Sequence, residues 1–283
     1  MGTTSSLALL ACLVLAPDPV DFCFVQAAPV GQDCEGPRRR PDVTRAVVLI
    51  HGLRPHPFSD DNAHQPVLAG WEKPDSALVK ALAADSDVYA IGYAQDRTID
   101  DIAAAPVLAR YINGLRLAGY TEVVLVGHSA GGLLARYYVE NNEGGGATKL
   151  IQICSPNTGS SWGKLTAGVR QSQEPFLLSL TKEQRAEASA RRLGKQVPPG
   201  VEMVCIVSRS FYFGDGLVSC ASQWPRDLQD QGVRAIELNF SHVTVVFSKT
   251  GAKRVAELVR EPQPRWNAIE TAIARAKIVG KEK

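Results

Sequence analysis

Residues Val124–Glu140 have the sequence VLVGHSAGGLLARYYVE. A short apolar run that predicts a buried strand meets Gly-His-Ser-Ala-Gly-Gly, and a helical pattern follows at once. A G-x-S-x-G match alone arises by chance in about one chain of this length in ten, so its context carries the argument. A serine at a sharp turn between a strand and a helix projects its hydroxyl away from the sheet. Ser129 is therefore a candidate nucleophile.

The glycines around Ser129 fit that geometry. Gly127 and Gly131 have no Cβ, which allows the strand and the helix to cross closely. The helix N-terminus also presents free N–H groups to any anion that forms beside the serine. The alternative is that Ser129 is only a small residue in a glycine-rich turn. A catalytic serine additionally requires a base and an acid from the rest of the chain.

Composition limits the class of protein. The chain has 283 residues, of which 45% are hydrophobic and 21% charged, as is typical of globular proteins. Its formal net charge of +2 is too small to indicate a nucleic-acid-binding protein. No C-x-x-C motif or nucleotide-binding loop occurs, so neither a metal nor a cofactor is predicted. Five residues after the first strand resemble metal ligands, but a flexible polar loop explains them: His51, His56, Asp60, Asp61 and His64.

The N-terminal region has two interpretations. Leu7–Ala16 is an apolar run of signal-peptide length, too short to span a membrane, and Val25–Ala27 resembles a small-residue cleavage site. However, no Lys or Arg precedes Arg38, so the positively charged start of a signal peptide is missing. Residues 1–27 are therefore interpreted either as a signal peptide of an exported protein or as a disordered leader of a cytoplasmic one. Residues 28–45 are polar with three prolines and predict a linker.

Strand and helix patterns alternate from residue 46 to residue 283. The predicted strands are Ala46–Ile50, Val88–Tyr93, Val123–Val126, Leu150–Cys154, Val201–Val207 and Val233–Leu238. Such alternation predicts an α/β fold with a mostly parallel central sheet and helices on both faces. Ile99–Leu117 is helical by pattern, with a bend or restart at Pro106. Residues 160–200 contain no convincing strand and predict a helical cap inserted over one end of the sheet.

His242 is the candidate base. A serine hydroxyl is a poor nucleophile unless a base takes its proton and a carboxylate orients that base. Catalytic groups in parallel sheets gather at the carboxyl ends of strands. His242 is the only histidine after Ser129, and it directly follows a predicted strand. His128 is interpreted as a packing residue, and His51 as a residue that shapes its own loop.

Asp215 is the candidate acid. It lies in Phe-Gly-Asp-Gly-Leu-Val after a predicted strand, and the flanking glycines allow a tight turn that aims the carboxylate at His242. The alternative is a plain Asp-Gly turn. Three other acidic residues remain as rivals for the role: Asp227, Asp230 and Glu237.

Two backbone N–H groups are candidates for an oxyanion hole. The donors must point to the place where negative charge develops on a tetrahedral intermediate. The N–H of Ala130 directly follows the nucleophile. The loop after the first strand supplies the second, because Gly52 permits a close turn that leaves the N–H of Leu53 available.

These pieces resemble the α/β-hydrolase superfamily, and within it the small lipase-like serine esterases. The order Ser129, Asp215, His242 is the one expected there. The matching segments are VVLIHGL, VGHSAGGLLARYY, LIQICSPNTGS, FGDGLV and NFSH, within residues 46–260. The group most similar contains GPI-inositol-deacylase-like proteins and bacterial triacylglycerol lipases. The sequence departs from it in having Leu217 where valine is usual and Ser219 where proline often follows.

The resemblance and the residues together predict a serine hydrolase that cleaves carboxylic esters through an acyl-enzyme intermediate. An acyltransferase or thioesterase with the same residues is one alternative, and a non-catalytic binding protein of the same fold is another. The expected partner is a small-molecule or lipid ester. An apolar cap suits an acyl chain and transient contact with a lipid surface, whereas ordinary packing is the other interpretation. The apolar residues concerned are Trp162, Leu165, Val169, Phe176, Leu177, Leu178 and Leu180.

Overall fold

The computed structural model describes residues 20–29, 37–54, 63–160, 171–210 and 214–280. Across these residues seven strands form one sheet, in the spatial order β1-β3-β2-β4-β5-β6-β7. The strands are β1 (Phe22–Ala28), β2 (Arg45–Ile50), β3 (Asp87–Tyr93), β4 (Glu122–His128), β5 (Lys149–Ile153), β6 (Glu202–Ser208) and β7 (Arg234–Leu238). Every neighbouring pair is parallel except β1 with β3. The predicted fold class, with its mostly parallel sheet, is confirmed.

Helices cover both faces of the sheet. They are α1 (Ala77–Leu82), α2 (Ile99–Ala104), α3 (Pro106–Leu117), α4 (Ala130–Asn141), α5 (Glu174–Leu178), α6 (Lys182–Arg191), α7 (Cys220–Gln223), α8 (Arg226–Asp230), α9 (Thr244–Phe247), α10 (Lys249–Arg260) and α11 (Ala268–Ile278). Helices α1, α9 and α10 pack on one face, and α2, α3, α4 and α8 pack on the other. A proline at the first position of α3 starts a new helix there, since its missing N–H is not needed at that position.

Strand β2 shows why the central strands are apolar throughout. Ala46, Val48 and Ile50 belong to one core, whereas Val47 and Leu49 belong to the other. All five side chains are fully buried. Successive side chains of a strand point to opposite faces, so a strand covered on both faces has no polar position to alternate with.

The folded domain begins earlier than the predicted boundary at residue 46. Residues 22–28, assigned from sequence to the end of the leader and the start of the linker, form the antiparallel edge strand β1. The Phe24 ring stacks on Tyr89 and Tyr111, at centroid distances of 5.1 and 4.7 Å. Within the predicted linker, the Arg40 guanidinium donates to the buried Asp87 carboxylate. Local polarity and prolines indicated a linker, whereas these long-range contacts make the segment part of the domain.

The predictions made for residues 1–19 concern a segment outside the described residues. The apolar run Leu7–Ala16 falls there, so the choice between a signal peptide and a disordered leader stays a prediction. Among the helices of the described residues, none combines the length and the hydropathy needed to cross a bilayer.

The cap region contains α5 and α6, and a buried arginine of α6 bonds it to the rest of the domain. Arg185 is 1% exposed. Its guanidinium donates to the Asp100 carboxylate at 2.5 Å and to the Tyr137 hydroxyl at 2.8 Å. Trp162, Leu165 and Val169 of the predicted cap lie outside the described residues.

Candidate active site

Ser129 lies at the junction between β4 and α4 in a backbone conformation that is uncommon for a residue with a side chain. Its φ is 55° and its ψ is −125°, and its N–H donates to the Ile153 carbonyl at 2.7 Å. The two glycines that the sequence analysis singled out are required here. A Cβ on Gly127 would lie 2.5 Å from the Gly131 carbonyl oxygen, and one on Gly131 would lie 2.2 Å from the Ile50 carbonyl oxygen. The turn therefore holds the Ser129 hydroxyl in a strained, fixed position.

The structure brings Ser129, His242 and Asp215 into one hydrogen-bonded row. His242 Nε2 lies 2.9 Å from Ser129 Oγ, and His242 Nδ1 lies 2.6 Å from Asp215 Oδ2. A carboxylate only accepts hydrogen bonds, so the imidazole proton belongs on Nδ1, and Nε2 is left to accept the serine proton. All three residues are less than a tenth exposed. The arrangement is chemically able to activate a serine.

Backbone contacts hold Asp215 and His242 in position. The N–H groups of Leu217 and Val218 donate to Asp215 Oδ1, at 2.9 and 2.8 Å. The His242 N–H donates to the Asp215 carbonyl at 3.1 Å. The Asp-Gly turn and the chain after β7 are thereby held against each other, so the carboxylate is aimed at the ring before substrate arrives.

The three rival carboxylates bind other cations. Asp227 pairs with Arg136, Asp230 with Arg226, and Glu237 with Arg209. The geometry therefore assigns the position beside His242 to Asp215.

His128 and His51 are buried and neutral. His128 Nε2 lies 2.8 Å from the His242 carbonyl oxygen, to which it donates, and burial lowers its pKa to about 3. His51 Nδ1 lies 2.7 Å from the Gly52 carbonyl oxygen, and burial lowers its pKa to about 4. Each ring thus contacts neighbouring backbone. This agrees with the prediction that His128 is a packing residue and that His51 shapes its own loop.

The proposed oxyanion donors lie next to the serine. Ala130 is the first residue of α4, so its N–H has no acceptor within the helix. Leu53 lines the same cavity as Ser129 and His242. Side-chain hydrogen bonds from Gln95 and Gln173 hold the loop that carries Leu53 in place.

Two glutamines that the sequence analysis missed hold this loop. Gln95 Nε2 donates to the Gly52 carbonyl at 2.9 Å, and Gln95 Oε1 accepts from the Arg54 N–H at 2.9 Å. Gln173, in the cap, donates to the Arg54 carbonyl at 2.7 Å and to Gln95 Oε1 at 3.1 Å. Gln95 directly follows the carboxyl end of β3, where the strand-end rule could have found it. Gln173 has no such signal, since only the folded chain brings it to the loop.

An apolar cavity of about 210 Å³ opens beside the serine. Leu177 and Leu180 of the cap and Leu217 and Val218 of the Asp215 turn line it. Phe176 does not, because it is fully buried against Tyr93 in the core, with ring centroids 6.2 Å apart. The cap therefore contributes both an apolar wall and ordinary packing.

One group of residues in the site has potential metal-ligand atoms, but two of those atoms already have hydrogen-bond partners. His128, Cys154 and His242 place potential ligand atoms within 4.8 Å of one another. Both nitrogens of His242 are already used by Asp215 and Ser129, so a metal would displace the hydrogen-bonded row. Of the polar loop weighed earlier, His56, Asp60 and Asp61 lie outside the described residues, and His64 bonds to Asp96.

A family model described as the alpha/beta hydrolase family matches residues 47–272. The chain belongs to this family. The match covers strands β3 to β7, most of β2 and all the candidate site residues, in agreement with the observed sheet. No curated protein matches the chain in sequence.

Solved structures share the fold at low sequence identity. Bacillus licheniformis lipase BlEst2 in its mature form superposes with a TM-score of 0.63 at 12% identity, covering 83% of this chain and 97% of that one. The Pyrobaculum calidifontis esterase gives 0.52 at 14% identity and 86% coverage of both chains. Aspergillus fumigatus lipase B gives 0.55 at 14% identity, covering 82% of this chain but 56% of that one. At these identities the likeness establishes the fold alone.

Proposed function

We propose that this member of the alpha/beta hydrolase family cleaves carboxylic esters, with Ser129 as nucleophile, His242 as general base and acid, and Asp215 as orienting carboxylate. The single observation that carries the proposal is the position of His242, within hydrogen-bonding distance of both Ser129 and Asp215. Any hydrogen-bonding groups would satisfy the two ring nitrogens of a structural histidine. This ring has a nucleophile on one nitrogen and a buried carboxylate on the other.

The reaction follows from this geometry. Ser129 Oγ attacks the ester carbonyl carbon while its proton passes to His242 Nε2. The N–H groups of Leu53 and Ala130 stabilise the negative charge on the carbonyl oxygen. The C–O bond to the alcohol then breaks, and His242 gives its proton to the leaving alcohol. Water attacks the acyl-enzyme by the same route in reverse, releasing the carboxylic acid and restoring Ser129.

The apolar cavity supports an ester with an aliphatic acyl group. A group the size of a water molecule occupies about 30 Å³, so a cavity of about 210 Å³ accommodates roughly seven such groups. Leu178 beside the cavity wall is 42% exposed, and Val243 at the cavity is 52% exposed. Exposed apolar side chains next to the site support transient contact with a lipid surface through the cap.

Ser129→Ala tests the proposal directly. A fluorophosphonate probe should label the wild-type protein and leave Ser129→Ala unlabelled, because the probe reacts with an activated serine hydroxyl. Ester hydrolysis should fall with it by several orders of magnitude. Ser189→Ala, at an exposed position of α6, is the matched control and should label normally. Labelling that persists in a folded Ser129→Ala protein would exclude Ser129 as the nucleophile.

A further inference from the structure

A second cavity lies between the edge strand β7 and the helices α10 and α11. Its volume is about 970 Å³. Its walls include Arg234, Ile236, Arg254, Trp266 and Lys277, and we call it the β7–α11 groove. None of its lining residues lines the cavity beside Ser129. It is therefore separate from the candidate active site.

The β7–α11 groove has an excess of positive charge. Four cationic side chains line it, Arg209, Arg234, Arg254 and Lys277, against two carboxylates. Both carboxylates have partners, since Glu237 pairs with Arg209, and Glu270 accepts the Asn267 N–H at the start of α11. Within the described part of the chain, neither Arg234 nor Lys277 pairs with a carboxylate. Two positive charges thus face the groove without a counter-charge.

Arg234 also carries a buried donor with no acceptor. Its Nε atom is shielded from solvent and has no hydrogen-bond partner among the described residues. An unsatisfied buried donor is destabilising, and more strongly so when the group is charged. The guanidinium carbon lies 5.5 Å from the centre of the Trp266 ring, a cation–π distance. Arg234 thus lies against Trp266 in the groove wall, with no carboxylate partner among the described residues.

Apolar surface accompanies this charge. Ile273 of α11 is 66% exposed although it lines the groove. Trp266, Ile236 and Ile278 supply further apolar wall. An occupant that satisfied Arg234 and also covered Ile273 would need an acidic head and an aliphatic tail.

We propose that the β7–α11 groove binds a medium- or long-chain carboxylate. The carboxylate bonds to Arg234 and Lys277, and the alkyl chain lies along Trp266 and Ile273. A chain of about 16 carbons needs on the order of 500 Å³ at about 30 Å³ for each group, which the groove accommodates. Such a molecule belongs to the product class of the proposed ester hydrolysis. The binding itself requires neither Ser129 nor any step of that reaction.

The test uses the full chain with Ser129→Ala, so that catalysis plays no part in the measurement. Titration with a bromine-labelled dodecanoate should quench tryptophan fluorescence, and replacing Trp266 with Phe should remove most of the quenching. Arg234→Gln should weaken binding at least about tenfold, in line with the loss of a charge-assisted hydrogen bond. Lys253→Gln, at an 80% exposed lysine of α10, is the charge-matched control and should bind normally.

Three results would overturn the proposal. The first is equal dodecanoate affinity in Arg234→Gln and its Lys253→Gln control. The second is quenching that survives Trp266→Phe. The third is that dodecyltrimethylammonium, which has the alkyl tail without the carboxylate, binds as tightly as dodecanoate. A fourth arm uses phosphatidylglycerol vesicles. Binding to vesicles without binding to monomeric dodecanoate would identify the groove as a site for an anionic membrane surface instead. Wild-type ester hydrolysis is measured separately, so failure here leaves the proposed function untouched.

Discussion

The Asp215 carboxylate accepts hydrogen bonds from the backbone N–H groups of Leu217 and Val218 and from the His242 ring. The carboxylate therefore cannot rotate without breaking several contacts. Its effect on His242 is to fix which ring nitrogen carries the proton. Orientation and tautomer, more than charge alone, are what this residue supplies.

Asp215→Asn should lower kcat/KM by roughly 10⁴, because the amide NH₂ group presents a donor to Nδ1 and favours the wrong tautomer. The measurement is hydrolysis of a p-nitrophenyl ester, with circular dichroism as a check on folding. Asp230→Asn, at a rival carboxylate on α8 that pairs with Arg226, should retain activity. Normal activity in Asp215→Asn would mean that a different carboxylate orients His242.

Glu72 is a second residue whose burial has a measurable consequence. It is fully buried, and its Oε2 accepts the Ala69 N–H at 2.6 Å. Desolvation raises the pKa of this carboxyl well above its ordinary value. The folded chain therefore binds the Glu72 proton more tightly than the unfolded chain does. The contribution of Glu72 to stability is therefore fully present below its ordinary pKa and is lost as pH rises toward the raised one.

Glu72→Gln should become more stable relative to the wild type as pH rises, because glutamine preserves the acceptor but does not titrate. Urea denaturation at pH about 5 and about 8 measures the two differences in the free energy of unfolding. Glu187→Gln, at an exposed position of α6, should show little change with pH. A difference between Glu72→Gln and wild type that stays constant with pH would contradict the expected titration.

Among the elements, the cap combines fixed packing with an apolar cavity wall. Arg185 anchors α6, and Phe176 of α5 packs into the core, so these parts hold the cap against the domain. Leu177 and Leu180 face the cavity beside Ser129. The expectation that both Phe176 and Leu177 contact an acyl chain is thus corrected for Phe176, whose ring is turned toward Tyr93.

Leu177→Ala and Leu180→Ala should reduce kcat/KM for p-nitrophenyl octanoate several-fold more than for the acetate. Each methylene that loses its contact accounts for about 0.8 kcal/mol, and acetate does not reach the wall. Leu193→Ala, at a leucine that is 92% exposed, should affect neither ester. Equal losses for the two chain lengths would mean that these leucines stabilise the cap without contacting the acyl group.

At the scale of the whole molecule, β1 closes one edge of the sheet. Without it the edge of β3, a strand buried along its full length, would be open to solvent. Exposed apolar edges pair with other chains and promote aggregation. The N-terminal segment therefore contributes to solubility as well as to the core.

Deleting residues 1–28 should lower the urea midpoint of unfolding and produce aggregates in size-exclusion chromatography. Deleting residues 1–19, which leaves β1 intact, should do neither and serves as the control. An unchanged midpoint after the longer deletion would show that β1 is dispensable for the fold.

Much of this domain was predictable from sequence because its signals are local. Apolar runs marked the strands from β2 to β7, and the turn chemistry around Ser129 and Asp215 marked the points where the chain reverses. The missing N–H of Pro106 predicted a bend or a restart of the helix, and the structure has a restart. The placement of Asp215 and His242 at strand ends was inferred from a rule about parallel sheets, and the structure brings both to Ser129.

Sequence alone thus determined the class of fold and the residues that meet in the candidate site, since periodicity and turn geometry depend on near neighbours in the chain. The folded chain was needed to show that residues 22–28 complete the sheet, that Gln95 and Gln173 hold the loop carrying Leu53, and that Arg234 Nε has no hydrogen-bond partner among the described residues. Each of these depends on residues far apart in the chain meeting in space. Such pairings are selected by the packing of the whole domain, which no local pattern records.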